Sequence, residues 1–181
     1  MKEEIKKTIE ALRNGGIILY PTDTIWGVGC DATNDKAIEK IFQLKGRENN
    51  KSLISLVANK NQLRDITGLI PDIDITSKPT TVIYPKATGI SNKALAQNKS
   101  AAIRIVNDEF CKSLIHTFKK PIISTSANIS NHKSPNNFSE ISIEIKQNVD
   151  YIVDLYHKKL MTNPSKILLL NKDGSITNIR S

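Results

Sequence analysis

At 181 residues, with 39% hydrophobic and 24% charged residues, the chain has the make-up of a single soluble domain, which excludes a fibre or a disordered tail. The net charge of +8 and the pI of ≈ 9.5 suit a polyanionic partner such as RNA or a nucleoside triphosphate, although a lysine- and asparagine-rich coding bias accounts for them equally well. The charged N-terminus MKEEIKKTIEALRNGG has no unbroken apolar run, which excludes a signal peptide or a membrane span there, so a cytoplasmic location without membrane contact is expected.

Ile5, Ile9 and Leu12 recur at helical spacing before Gly15-Gly16, which predicts a short amphipathic helix. GIILYPT reads as a buried strand ended by Pro21 and the polar turn Thr22-Asp23-Thr24. Asn34-Asp35 offers an N-cap to a second helix whose apolar face is Ala37, Ile38, Ile41 and Phe42, before the basic run KGRENNK. SLISLVA is a further strand. NKNQLRDITGLIPDIDITSKP predicts a short helix and an irregular linker, and TTVIYP a strand closed by Pro85. AAIRIV alternates as a strand, interrupted by Arg104; DEFCKSLIHTF is helical, and PIISTSAN is an apolar strand running into a polar turn. SNHKSPNNFS reads as a turn-rich loop, followed by a helix around Ile141 to Ile145, a strand at YIVDL, and a hairpin from KILLL through Asp173-Gly174 to ITNIR. The hairpin and the short connections argue against a purely parallel sheet, so one twisted, mixed, mostly antiparallel sheet with packed helices is expected, as a single domain over residues 1–181.

Several polar clusters follow apolar strands, where α/β architectures gather ligand groups. They are PTDT at 21 to 24, KGRENNK at 45 to 51, Arg104, STSAN at 124 to 128, NPS at 163 to 165, and Arg180. Singly, each has a structural explanation: a turn, a solvated loop, a helix cap. Arg104 is harder to explain that way, because an arginine flanked by Ala101, Ala102, Ile103, Ile105 and Val106 faces either solvent or a buried anion, and its fork suits a carboxylate or phosphate. STSAN concentrates donors for phosphate or carboxylate oxygens, with backbone N–H groups added if a helix begins there. No GxxxxGK[ST], GxGxxG or GxSxG motif is present, and His116, His132 and His157 form no metal or triad pattern and read as surface or satisfied residues. Cys30 and Cys111 lack ligand spacing and read as buried thiols, so no structural metal is expected. Without an obvious carboxylate pair, chemistry here would rest on positive charge and positioning.

In order, PTDTxxGxGxDA, KxRxxxK, the strand arginine and STSANxS resemble the YrdC-like threonylcarbamoyl-AMP synthases, over nearly the whole chain from GGIILYPTDTIWGVGCDA to NPSKI. The resemblance implies a twisted mixed sheet around a concave basic cavity. It also implies a nucleotidyltransferase that joins L-threonine and bicarbonate as a carbamate and transfers AMP from ATP, releasing pyrophosphate, for N6-threonylcarbamoyladenosine at tRNA position 37. Carried over by motif, Lys45, Arg47 and Lys51 face the carbamate and phosphates as the catalytic set. Thr24, Arg104, Ser124 and Ser165 contact threonine, with Arg104 on its carboxylate. Arg47, Lys51, Ser126, Asn128, Ser134 and Arg180 contact ATP. Magnesium is expected with the triphosphate, and the implied partners are tRNA and the proteins that complete transfer to it. Ser52, Lys78-Pro79-Thr80-Thr81 and Asn131 depart from the usual family pattern, which bears on loop shape. The chain stops near the last strand, as the short single-domain form does.

Two other readings stand beside this one. A non-catalytic RNA-binding module would use the +8 charge, although aromatics are 5% of residues and form no stacking motif. A related carbamoyl-adenylate enzyme is the other, disfavoured by the solitary domain and by retention of Thr24, Arg104, Ser124 and Ser165.

Overall fold

A computed structural model describes residues 1–46 and 52–181. Helix α1, Lys2–Arg13, buries Thr8, Ile9 and Leu12 and is followed by β1, Ile18–Tyr20. The PTDTIW turn leads into β2, Gly27–Gly29, a strand whose glycines hide it from propensity-based reading. Helix α2, Asp35–Lys45, is capped by the Asn34 side chain, which accepts from the Ala37 N–H, and ends at a left-handed Gly46. Next come β3, Ile54–Val57; α3, Lys60–Thr67; β4, Thr80–Tyr84; β5, Ala101–Ile105; and α4, Glu109–Phe118, capped by Asp108. β6, Ile122–Ser126, precedes the loop that holds Ser134. The expected helix around Ile141 to Ile145 resolves into a 3-10 turn at Phe138–Glu140 and α5, Ile143–Gln147. β7 is cut to Tyr151–Ile152, and β8, Lys166–Leu170, turns through Asp173 and Gly174 (φ +86°) into β9, Ile176–Arg180.

The strands form one sheet in the order β7-β1-β2-β6-β3-β5-β4-β8-β9. Among the described residues five neighbouring pairs are antiparallel and three parallel, so the sheet is mixed and mostly antiparallel as expected. β6 joins its halves: Thr125 and Ser126 pair with β2, whereas Ile122 to Ser124 pair with β3. Gly29 allows this close approach, because a Cβ there would lie 2.2 Å from the Ile123 carbonyl oxygen and 2.7 Å from the Tyr20 ring.

Period-2 alternation sorts side chains between the two faces. On one face Leu53 and Ile123 pack with Ile38 and Ile41 of α2, while Val57, Ile103 and Ile105 pack with Leu63 and Ile66 of α3. On the other, Leu56, Val106 and Ile122 meet Ile9 and Leu12 of α1 and Phe110 and Leu114 of α4. Those two helices cover only one end of their face. Nearer the other end, Ile54, Ala102 and Ser124 floor a cavity. Cys30 and Cys111 are buried and free, and burial pushes both thiols up from their ordinary value. No helix is long and apolar enough to cross a membrane among the described residues.

Candidate functional site

The cavity, about 740 Å³, gathers residues from five of the polar clusters: Thr24 from PTDT, Arg104 from β5, Ser124 and Ser126 from β6, Ser165 from NPS, and Arg180 from β9. Ser134 joins them from the loop after β6. Strand alternation explains Arg104's placement. Ile103 and Ile105 enter the core beneath α3, so Arg104 points to the opposite face, on the same side as Ala102. Its apparent interruption of AAIRIV is the ordinary two-residue period of a strand with one face lining a site.

Arg104 is only 4% exposed. Its Nη2 donates to Asp23 Oδ1 at 3.1 Å, and Nε is buried with no hydrogen-bond partner among the described residues. A buried guanidinium with an unmet donor favours an added anion. Arg180 stands nearby; its Nε and Nη2 donate to the Ser165 carbonyl at 3.1 and 2.7 Å. Partial burial, together with the Arg104 charge, pulls Arg180 below the ordinary arginine value. These two cations are the charged side chains among the described cavity residues, so the site's field favours negative ligands.

Hydroxyls line the rest. Thr22 Oγ1 donates to the Ile25 carbonyl at 2.7 Å, accepts from the Thr24 N–H at 3.1 Å, and lies 2.9 Å from Thr24 Oγ1, which locks the turn and presents Thr24. Ser165 Oγ, 1% exposed as a residue, shares a 2.8 Å hydrogen bond with Thr81 Oγ1. Gly27 leaves room beside Ser124; a Cβ there would lie 3.0 Å from Ser124 Oγ.

Lys45 and Asn128 sit beside the cavity rather than among its lining residues. Lys45, 3% exposed, donates from Nζ to the Ser126 and Asn128 carbonyls, each at 2.6 Å, and so fixes the chain leaving β6. Asn128 Nδ2 donates to the Ile129 and His132 carbonyls, shaping the loop that carries Ser134. No helix begins at STSAN, so it adds no helix-terminal N–H groups, and the chain there is a bend held by Lys45. Arg47 and Lys51 lie outside the described residues.

The Ser134 loop is anchored by aromatic packing. Phe138 stacks on His157 with centroids 3.9 Å apart and planes 7° apart, and both rings lie against buried Trp26, at 5.1 and 5.6 Å. His157 is thus packed as a ring, while His116 and His132 are exposed. Pattern reading missed Asp23 and Thr81 as partners of site residues. The acid beside Thr24 was the available signal for the first, and the alternation of TTVIY for the second.

The sequence profile of the Sua5/YciO/YrdC family, described under telomere recombination, matches residues 10–181. A threonylcarbamoyl-AMP synthase of Riesia pediculicola is 37% identical over 156 residues, covering 80% of this chain and 82% of the relative. Sua5 of P. abyssi, solved in complex with L-threonine, superposes with a TM-score of 0.79 at 25% identity, over 92% of this chain and 50% of that one. The chain therefore spans about half the length of that Sua5 protein. YciO of E. coli shares the fold, with a TM-score of 0.81 at 19% identity over 100% of this chain and 90% of that one.

Proposed function

We propose that this chain, which belongs to the Sua5/YciO/YrdC family, joins L-threonine, bicarbonate and ATP into threonylcarbamoyl-AMP, the donor for N6-threonylcarbamoyladenosine in tRNA. The observation that carries the reading is Arg104, a buried guanidinium whose Nε donor is unmet among the described residues, on the floor of a hydroxyl-lined cavity. Its fork suits an α-carboxylate. Thr24, Ser124 and Ser165 supply hydroxyls for the amino acid's polar groups, and Ser126, Ser134 and Arg180 face the nucleotide. Lys45 serves by holding the Ser126 and Asn128 carbonyls, while Arg47 and Lys51 are assigned to the carbamate and phosphates on the family motif.

The chemistry needs little acid or base from the protein. The threonine ammonium gives a proton to solvent, the freed amine takes the carbon of bicarbonate as water leaves, and a carbamate oxygen then displaces pyrophosphate from the α-phosphorus. The carbamate and the triphosphate are both anionic, so positive charge and alignment lower the barrier by reducing repulsion and fixing the line of attack. Among the described residues no three or more His, Cys, Asp and Glu side chains are placed to hold a metal ion. We therefore assign magnesium to the triphosphate as part of the substrate. Transfer to tRNA through partner proteins, in the cytoplasm, completes the proposal; the +8 charge supports contact with a polyanion.

The test is pyrophosphate release from ATP, magnesium and bicarbonate with threonine, with serine and with no amino acid. Threonine-dependent release is expected. No release with any amino acid, alongside salt-sensitive RNA binding, would overturn the reading in favour of an RNA-binding module. Arg104→Lys, which keeps the charge beside Asp23 but loses the fork, is expected to raise the threonine KM about tenfold or more and leave the ATP KM within about twofold.

A further inference from the structure

We infer that Asp23 is the positioning residue of the amino-acid subsite, fixing the Arg104 guanidinium and the Thr24 turn in one frame so that the carboxylate site exists before the ligand arrives. The inference rests on the threonine reading of the cavity.

Asp23 is nearly buried, its side chain 6% exposed against 3% for Arg104. Both carboxylate oxygens are used: Oδ1 accepts from Arg104 Nη2 at 3.1 Å and Oδ2 from the Asn107 N–H at 3.1 Å. One side chain thus ties the loop after β1 to β5 and to the segment just beyond it. The neighbouring residues of the loop are held independently. Thr22 closes on Thr24 and Ile25, and the Pro21 carbonyl lies 3.4 Å from Cys111 Sγ of α4. Asp23 is therefore spare as a turn-former, and its carboxylate faces the one buried cation of β5.

Without Asp23, Arg104 would be a long, buried cation with several rotamers, drawn toward solvent through the open cavity. A preset site spares the ligand that ordering. The carboxylate takes a single edge of the guanidinium through Nη2, and Nε has no partner among the described residues, so the pair does not saturate the fork. The arrangement neutralises the cation when the cavity is empty and still leaves donor capacity for a ligand carboxylate. A bidentate pair would have taken one more of the five N–H donors.

Asp23→Ala and Asp23→Asn, the latter keeping shape and one acceptor, test this through threonine-dependent pyrophosphate release and direct L-threonine binding without ATP. The expected result is a rise of about tenfold or more in the threonine KM and Kd for Asp23→Ala, a smaller rise for Asp23→Asn, and an ATP KM within about twofold of the parent. Unchanged threonine KM and Kd in a folded variant of either kind would overturn the inference, and so would tighter threonine binding, which would make Asp23 a competitor of the ligand. A loss confined to melting temperature and kcat, shared by both variants, would make Asp23 merely structural and overturn it as well. If the parent protein itself releases no threonine-dependent pyrophosphate and binds no threonine, the reading of the cavity fails first, which separates the two outcomes.

Discussion

The residues around Arg104 form a small buried charge system. Deleting one partner of a buried ion pair strands the other at a cost of about 3–5 kcal/mol, so Arg104→Ala would confound binding with folding. Arg104→Lys separates them better. Beneath the pair, burial raises the Asp108 carboxyl from its ordinary value near 3.8, opposed by the Cys111 N–H and reinforced by the negative charge of Asp23. The fold thus favours protonated Asp108. Its stabilising contribution is full below about pH 3.8 and is lost as pH rises through the raised value. Asp108→Asn, which keeps an acceptor for the Cys111 N–H, is therefore expected to gain stability relative to the parent as pH increases across that window. Urea unfolding at a series of pH values checks it; a pH-independent difference would show that the buried carboxyl is ionised at no cost.

At the level of elements, β6 does most to assemble the site. It lies between β2 and β3, bonded to the β2 side from Ile122 onward and to β3 as far as Ser124, and delivers Ser124, Thr125 and Ser126 to the cavity. Its place there depends on β2 lying close, which Gly29 permits. Gly29→Ala would press a methyl against the Ile123 carbonyl and the Tyr20 ring, neither of which is a flexible side-chain end. A loss of about 3 kcal/mol, at the upper end for overpacking, is expected in denaturant unfolding, with activity reduced through the displaced β6. Gly46→Ala is the comparison at an open position, since no atom of the described residues, chain neighbours aside, lies within 4 Å of a Cβ there, although its φ of +56° still carries the left-handed cost.

For the whole molecule, the division of labour between the sheet faces decides where ligands bind. One face is covered by α2 and α3, and the other is covered by α1 and α4 at one end and left open over Ala102, Ser124 and Arg104. An anionic ligand that relieves the proximity of Arg104 and Arg180 should stabilise the folded chain. L-Threonine at about 100 times its Kd is expected to add about 2.7 kcal/mol, which for a domain of this size raises Tm by roughly 5–10 °C. Thermal unfolding with threonine and with D-threonine measures this; equal shifts for both would mean that the cavity reads charge and not configuration.

Much of this was legible in the residues alone. Helical spacing placed α1, α2 and α4, and the Asp173-Gly174 turn placed the final hairpin, because caps, turn chemistry and periodicity are local properties. The motif order marked the polar clusters, and five of them have described members in one cavity, while residues 47–51 of KGRENNK lie outside the described residues. Other features depended on distance in sequence. Gly27–Gly29 has little strand propensity, with one valine between two glycines, and becomes β2 where β1 and β6 flank it. Lys45 reads from its motif as facing the carbamate and phosphates, and only the tertiary structure sets the carbonyls at 126 and 128 against its ammonium. Asp23 reads as a turn residue until β5 brings Arg104, 81 positions away, within hydrogen-bonding distance. A side chain's type is fixed by the chain, but whether its charge meets a partner, a carbonyl or an open cavity is set by contacts between segments that local pattern does not encode.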